Sequence, residues 1–264
     1  LIGALLTTLL IGAALLSLVW LPYPPTEIDI QHKFVAPSSA HWLGTDSLGR
    51  DLASQLLVGA QNSLIVGIGA VSLGLVFGVA LGFLAAARPG WVEELSMRAV
   101  DFSFAFPALL TAIMLAAIYG PGLATAIVAI GLFNVPVFAR IARGSAKAVW
   151  TRDFILAARA AGKGSWRITL DHVLPNIASV LIVQASIQFA TAILAEAALS
   201  YLGLGTPAPA PSWGRMLNEA QAQMFRAPLL AVWPGCAIAL AVLGLSLLGD
   251  GLRHLLDPRL ARQR

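Results

Sequence analysis

Residues 151–176 read TRDFILAARAAGKGSWRITLDHVLPN, a polar stretch set between two apolar spans. Its small residues, Ala157, Ala158, Ala160, Ala161 and Gly162, stand beside the basic Arg152, Arg159, Lys163 and Arg167, and Pro175 marks its end. A short helix with a small-residue face and a basic rim suits close approach by another protein, because small side chains let a partner near and charge orients it. A solvated connecting helix without a partner has the same composition. The rest of the chain must decide between the two.

Of the 264 residues, 58% are hydrophobic and only 11% charged, with a mean hydropathy of +0.81. That composition describes an integral membrane protein, not a soluble globule. The one cysteine, Cys236, lies in an apolar run, so it forms no internal disulfide and reads as a small packing residue. The net charge of +4 carries less information than where the charges fall, and no nucleic-acid partner is expected.

A spanning helix needs about 20 mostly apolar residues to cross a hydrocarbon core of roughly 30 Å. Six stretches qualify: 1–21, 62–87, 102–120, 122–141, 176–201 and 228–249. The expected fold is therefore all-α with six transmembrane helices. The sequence starts at Leu rather than Met, so its numbering need not begin at the native N-terminus. Leu1–Trp20 shows no small-x-small cleavage pattern before the Leu21-Pro22-Tyr23-Pro24-Pro25 break and reads as a transmembrane helix rather than a signal peptide. Tyr119-Gly120-Pro121-Gly122 supplies the turn of a tight antiparallel hairpin between helices 3 and 4.

Thirteen of the 17 Lys and Arg residues fall in 88–101, 139–175 and 250–264; the other four are Lys33, Arg50, Arg215 and Arg226. The basic side is expected to be cytoplasmic, which places both chain ends and the 151–176 stretch inside. In the outer loop, Leu48, Leu52, Leu56 and Leu57 have helical spacing, and Asp46 and Arg50 form an i,i+4 pair. This predicts an amphipathic surface helix capped by Thr45 or Asp46. The Gly44-Thr45-Asp46 and Gly49-Arg50-Asp51 triplets read as capping and turn chemistry rather than as a metal or phosphate site.

Gly74, Gly78 and Gly82 give helix 2 a small face, continued upstream by Gly67 and Ser63, suited to backbone-to-backbone packing in lipid. Pro107, Pro136 and Pro234 each remove a backbone donor, so helices 3, 4 and 6 are expected to kink or open locally. Glu196 is the one acid well inside an apolar span and must face protein or water. Helix 5 starts near Asn176, and twenty residues at about 1.5 Å each carry it close to the outer surface. Structural interface and intramembrane polar contact both remain open for Glu196.

Gly162-Lys163 is followed by Gly164 and has no glycine five positions before it, so it is not a phosphate loop. The four histidines, His32, His41, His172 and His254, are scattered over different loops and suggest neither a metal site nor a nucleophile–base pair. No enzyme, catalytic residue or bound cofactor is expected. With one intramembrane acid and no evident repeat, an ion-driven carrier is disfavoured, and energy must come from a partner.

The 151–176 stretch resembles the permease loop of ABC importers, Glu-Ala-Ala, three residues, Gly, nine residues, Ile, one residue, Leu-Pro. Ala157-Ala158, Gly162 and Leu174-Pro175 fit at the correct spacing, while Leu156 replaces the Glu and His172 the Ile. His41-Trp42-Leu43-Gly44-Thr45-Asp46, Leu48-Gly49-Arg50-Asp51, Asp101 with Ala105-Phe106-Pro107, Leu199 through Gly205, Pro211-Ser212-Trp213-Gly214, and Gly249-Asp250-Gly251-Leu252-Arg253 through Asp257-Pro258-Arg259 resemble C-type permeases of the dipeptide, oligopeptide and nickel uptake systems.

That resemblance implies a type I ABC importer permease fold in a bacterial cytoplasmic membrane. The first helix would occupy 1–21, the extracytoplasmic loop 22–61, the permease domain 62–250 and a cytoplasmic tail 251–264. It further implies a heterodimer with a homologous B-type permease, two ATPase subunits that bind ATP and Mg, and a solute-binding protein outside. In such an assembly Ala157, Ala158 and Gly162 would pack against an ATPase, with Leu174 and Pro175 leading back into helix 5. The expected solute is a di- or oligopeptide; nickel chelates or another small solute are the alternative. An uncoupled channel or secondary carrier is the reading from a different class.

Overall fold

The computed structural model describes residues 1–256. The Asp257-Pro258-Arg259 part of the family pattern lies outside the described residues. Ten helices follow in order: α1 (Ile2–Val19), α2 (Leu52–Ala87), α3 (Trp91–Ala105), α4 (Ala108–Tyr119), α5 (Leu123–Trp150), α6 (Asp153–Ala160), α7 (Ser165–Ile168), α8 (Leu174–Tyr201), α9 (Trp213–Gln221) and α10 (Leu229–Leu256). Among the described residues there is no strand, only an isolated bridge between Thr45 and Asp51. Five stretches are long and apolar enough to span: α1, α2, α5, Ser165–Tyr201 and α10; the bent pair α3 and α4 makes a sixth.

Several boundaries differ from the sequence expectation. The outer surface helix is not a separate element, since Leu52 opens a single 36-residue helix that continues into the span. Between Leu57 and Asn62 there is no proline, and the one glycine, Gly59, is packed under the Trp213 ring of α9, so the helix runs on. The cap is Asp51, whose carboxylate accepts from the Ser54 N–H at 2.8 Å, rather than Thr45 or Asp46. Residues 46–50 form a turn, and their ion pair closes that turn instead of supporting a helix.

The third span is broken: α3 and α4 meet at 82° across Phe106-Pro107. Proline there lacks the donor a continuous helix needs and restricts the residue before it to extended backbone, and Phe106 sits at φ −93°, ψ 121°. Pro136 and Pro234, by contrast, lie inside the continuous helices α5 and α10. The glycine face of α2 packs on α5 as expected. Gly74 meets Asn134, Gly78 meets Val135 and Phe138, and Gly82 meets Ala139 and Ala142. Gly67 lies under the ring of Phe189 on α8. At the basic end, Gly3 of α1 meets Leu247 and Leu248 near the end of α10, which brings the start and the described end of the chain together.

Candidate functional site

α5 ends at Trp150, and a two-residue turn launches α6 from the end of the bundle where the basic residues gather. Asp153 in the first turn and Arg159 in the last complement the helix dipole. The inward face is Ile155 and Ala158, three residues apart, which join a buried cluster with Trp150, Ile168 and Val173. The guanidinium of Arg159 sits 4.9 Å over the Trp150 ring. The outward face carries Phe154, Leu156, Ala157 and Ala160, all exposed, with Leu156 at 55%.

Gly162 ends the helix in a Schellman turn. The Lys163 N–H donates to the Ala158 carbonyl at 3.0 Å and the Gly162 N–H to the Arg159 carbonyl at 2.9 Å, with Gly162 at φ +80°. A Cβ at Gly162 would meet nothing within 4 Å, so the glycine is needed for its backbone and not for space. Lys163 Nζ then donates to Asp171 at 3.1 Å and lies 3.2 Å from His172 Nε2, tying the turn to the returning segment. That segment, α7 followed by a π turn at Thr169–Val173, runs into α8.

The sequence-chosen residues therefore divide. Ala157 and Pro175 are exposed, Leu174 is half-buried, Gly162 shapes the turn, and Ala158 faces the chain's own core. Ala158, grouped with Ala157 and Gly162 as a contact toward an ATPase, lies in this chain on the Ile155–Ala158 side that seats the two-turn helix on the bundle. Exposed Phe154 and Trp166, the latter at 71%, belong to the surface and were not singled out in the sequence. Their signal was an aromatic inside an otherwise polar stretch.

Glu196 is about 33 Å along α8 from Leu174, at the other end of the bundle. It is 1% exposed and accepts from the hydroxyls of Ser200 at 2.7 Å and Ser63 at 3.4 Å. Ser200 Oγ also accepts from the Thr206 N–H at 3.3 Å, so the acid joins α2, α8 and the 202–212 loop.

At that same end, Arg50 is buried between Asp46, 2.6 Å away, and Glu219 on α9. Burial works against its charge, but Asp46 and Glu219 outweigh it and hold the guanidinium above its ordinary range. Gln55 donates to Asp46 at 3.0 Å and Arg215 to Glu219 at 2.8 Å, locking the outer loop onto α9.

Known proteins share this architecture. Residues 78–262 match the family model described as binding-protein-dependent transport system inner membrane component. The glutathione transport system permease protein GsiD of Pectobacterium atrosepticum is 44% identical over 259 residues, covering 98% of this chain and 86% of that protein. The dipeptide transport system permease protein DppC of Alkalihalophilus pseudofirmus is 40% identical, covering 98% and 85%. Among solved structures, the inward-facing MetNI methionine ABC transporter superposes with a TM-score of 0.64 at 20% identity, over 77% of this chain and 96% of that one, which shows the fold alone. The chain therefore belongs to the binding-protein-dependent transport system inner membrane component family, as a multi-pass inner-membrane permease with the type I fold and the C-type character of peptide ABC importers.

Proposed function

We propose that this chain is the C-type half of a peptide-conducting permease. A homologous B-type permease supplies the other half, a solute-binding protein delivers di- or oligopeptides from outside, and two ATPase subunits bind and hydrolyse ATP with Mg. The permease itself binds no nucleotide. The observation that carries the energy-coupling part is α6: a short helix seated by Ile155 and Ala158, closed by Gly162, with an exposed apolar and small-residue face at the basic end. Ala157 and Leu156 form the contact with the ATPase, Gly162 fixes the helix direction, and Leu174 and Pro175 transmit its displacement into α8. α6 is bound to the segment that runs into α8 by the shared packing of Ile155, Ala158, Ile168 and Val173 and by the Lys163–Asp171 contact, so a push on it can pass into the span as one packed body. The peptide reading is supported by relatives named for glutathione and dipeptide transport.

The experiment is uptake of a labelled dipeptide into proteoliposomes holding the whole importer, with ATP inside or absent. ATP-dependent uptake that Ala157→Arg abolishes while the subunits stay assembled is expected. Uptake driven by an ion gradient without ATP would overturn the reading.

A further inference from the structure

Three side-chain amides stand in line through the apolar middle of the bundle. Asn134 on α5, 2% exposed, donates from Nδ2 to the Ala70 carbonyl of α2 at 3.4 Å. Its Oδ1 accepts from Gln188 Nε2 on α8 at 2.8 Å, and Gln188 Oε1 accepts from Gln184 Nε2 at 3.3 Å. The first two amides are buried, while Gln184 is half-buried, and its Oε1 and second N–H have no partner among the described residues. Gln184 lies ten residues past Leu174, about 15 Å along the helix and so near the middle of a roughly 30 Å core.

The surface it reaches has no partner among the described residues. Val180, Gln184, Ile187, Thr191, Leu194 and Ala198 recur at three- and four-residue spacing and form the open stripe of α8, flanked by buried Leu181, Gln188 and Ala192. Thr191 donates its hydroxyl to the Ile187 carbonyl at 2.9 Å and keeps acceptor capacity toward the open side. An amide turned into hydrocarbon loses hydrogen bonds worth several kcal/mol, about 2–7 by transfer measures, so the free edge of the Gln184 amide, at mid-depth between apolar Val180 and Ile187, faces water or protein. Gln188 and Asn134 use their own hydrogen bonds to fix the Gln184 amide, which limits how it can turn.

We infer that Gln184 is a solute contact at the middle of the transport path, with Gln188 and Asn134 as positioning residues. A fixed side-chain amide offers one acceptor and one donor, the complement of a peptide N–H and C=O. It would grip the backbone that all peptides share and ignore their side chains. This rests on the peptide reading given above.

The test uses the assembled importer in proteoliposomes on a Cys236→Ser background, with Gln184→Cys and, as comparator, Phe77→Cys on the exposed apolar face of α2, ten residues before its end and so at a depth similar to that of Gln184. A charged, membrane-impermeant thiosulfonate is applied from either side, nucleotide-free and vanadate-trapped. The Gln184→Cys variant is expected to react at least tenfold faster than Phe77→Cys in one of the two states, and saturating dipeptide to slow the Gln184→Cys reaction severalfold. Gln188→Leu should raise the KM for peptide more than it lowers the maximal rate. If the parent imports dipeptide but Gln184→Cys reacts no faster than Phe77→Cys in either state, the inference alone is overturned. If it reacts but dipeptide gives no protection, the contact is overturned. If the parent imports no peptide, the proposed function fails and the peptide contact with it.

Discussion

Replacing Gly82 by Ala should destabilise the protein, while the same change at Gly144, one helix over, should stabilise it. A Cβ on Gly82 would lie 2.6 Å from the Ala139 carbonyl oxygen, 2.7 Å from Ala142 Cβ and 2.9 Å from the Arg143 nitrogen. Ordinary contact begins near 3.4 Å, so α2 and α5 would have to separate by several tenths of an ångström. Two of those three atoms are backbone and cannot rotate away. Overpacking of this kind costs roughly 1–3 kcal/mol, and we expect Gly82→Ala at the upper end, about 2–3 kcal/mol, or about 30- to 150-fold in the folding equilibrium. Gly144 lies inside α5 with nothing within 4 Å of its would-be Cβ. There alanine only restricts the unfolded chain, a gain of about 0.5–1 kcal/mol. The assay is unfolding of the purified protein in mixed micelles titrated with dodecyl sulfate, followed by circular dichroism. A neutral Gly82→Ala together with a destabilising Gly144→Ala would refute the account of α2–α5 packing.

Glu196→Gln keeps an acceptor for the closer Ser200 hydroxyl through Oε1 and turns Nε2 to Ser63, whose hydroxyl can accept instead of donate, so it should stay within about 1 kcal/mol of wild type, whereas Glu196→Leu strands both hydroxyls, at about 1–3 kcal/mol each. Equal midpoints in the same titration would show that neither bond matters. Arg50→Ala leaves Asp46 and Glu219 facing each other without their shared cation and should cost about 3–5 kcal/mol. Proteolysis of the 20–51 loop is the readout, and an unchanged cleavage rate would contradict the locking role. Gly162→Ala must hold a positive φ with a Cβ, at about 1–2 kcal/mol, and should lower ATP-driven uptake with the fold intact. Full uptake in that variant would show that the turn tolerates distortion.

Much of the fold was legible in local signals. Runs of apolar residues marked the spans, and Gly74, Gly78 and Gly82 marked the α2–α5 contact. Pro107 marked the break in the third span, although not that residues 91–101 would themselves be helical. The amphipathic spacing at Leu48–Leu57 misled, because a leucine stripe that suits a surface helix equally suits the first turns of a long helix buried against α9. In the 151–176 stretch, spacing found α6 and Gly162, but it could not tell that Ala158 turns inward while Leu156 and Phe154 turn out.

By itself, then, the sequence determined how many times the chain can cross a bilayer, the asymmetry of its charge and the local turns that end its helices. These depend on run length, composition and backbone chemistry within a few residues. The tertiary structure alone decided which side chains meet: Ala70 and Asn134 across 64 residues, Asn134 and Gln188 across 54, Ser63 and Glu196 across 133, Arg50 and Glu219 across 169. In a membrane the lipid-facing and core-facing sides of a helix are equally apolar, so hydropathy cannot orient one against the other. The rotation of each helix, and with it the amide line that opens at Gln184, is set by packing between helices.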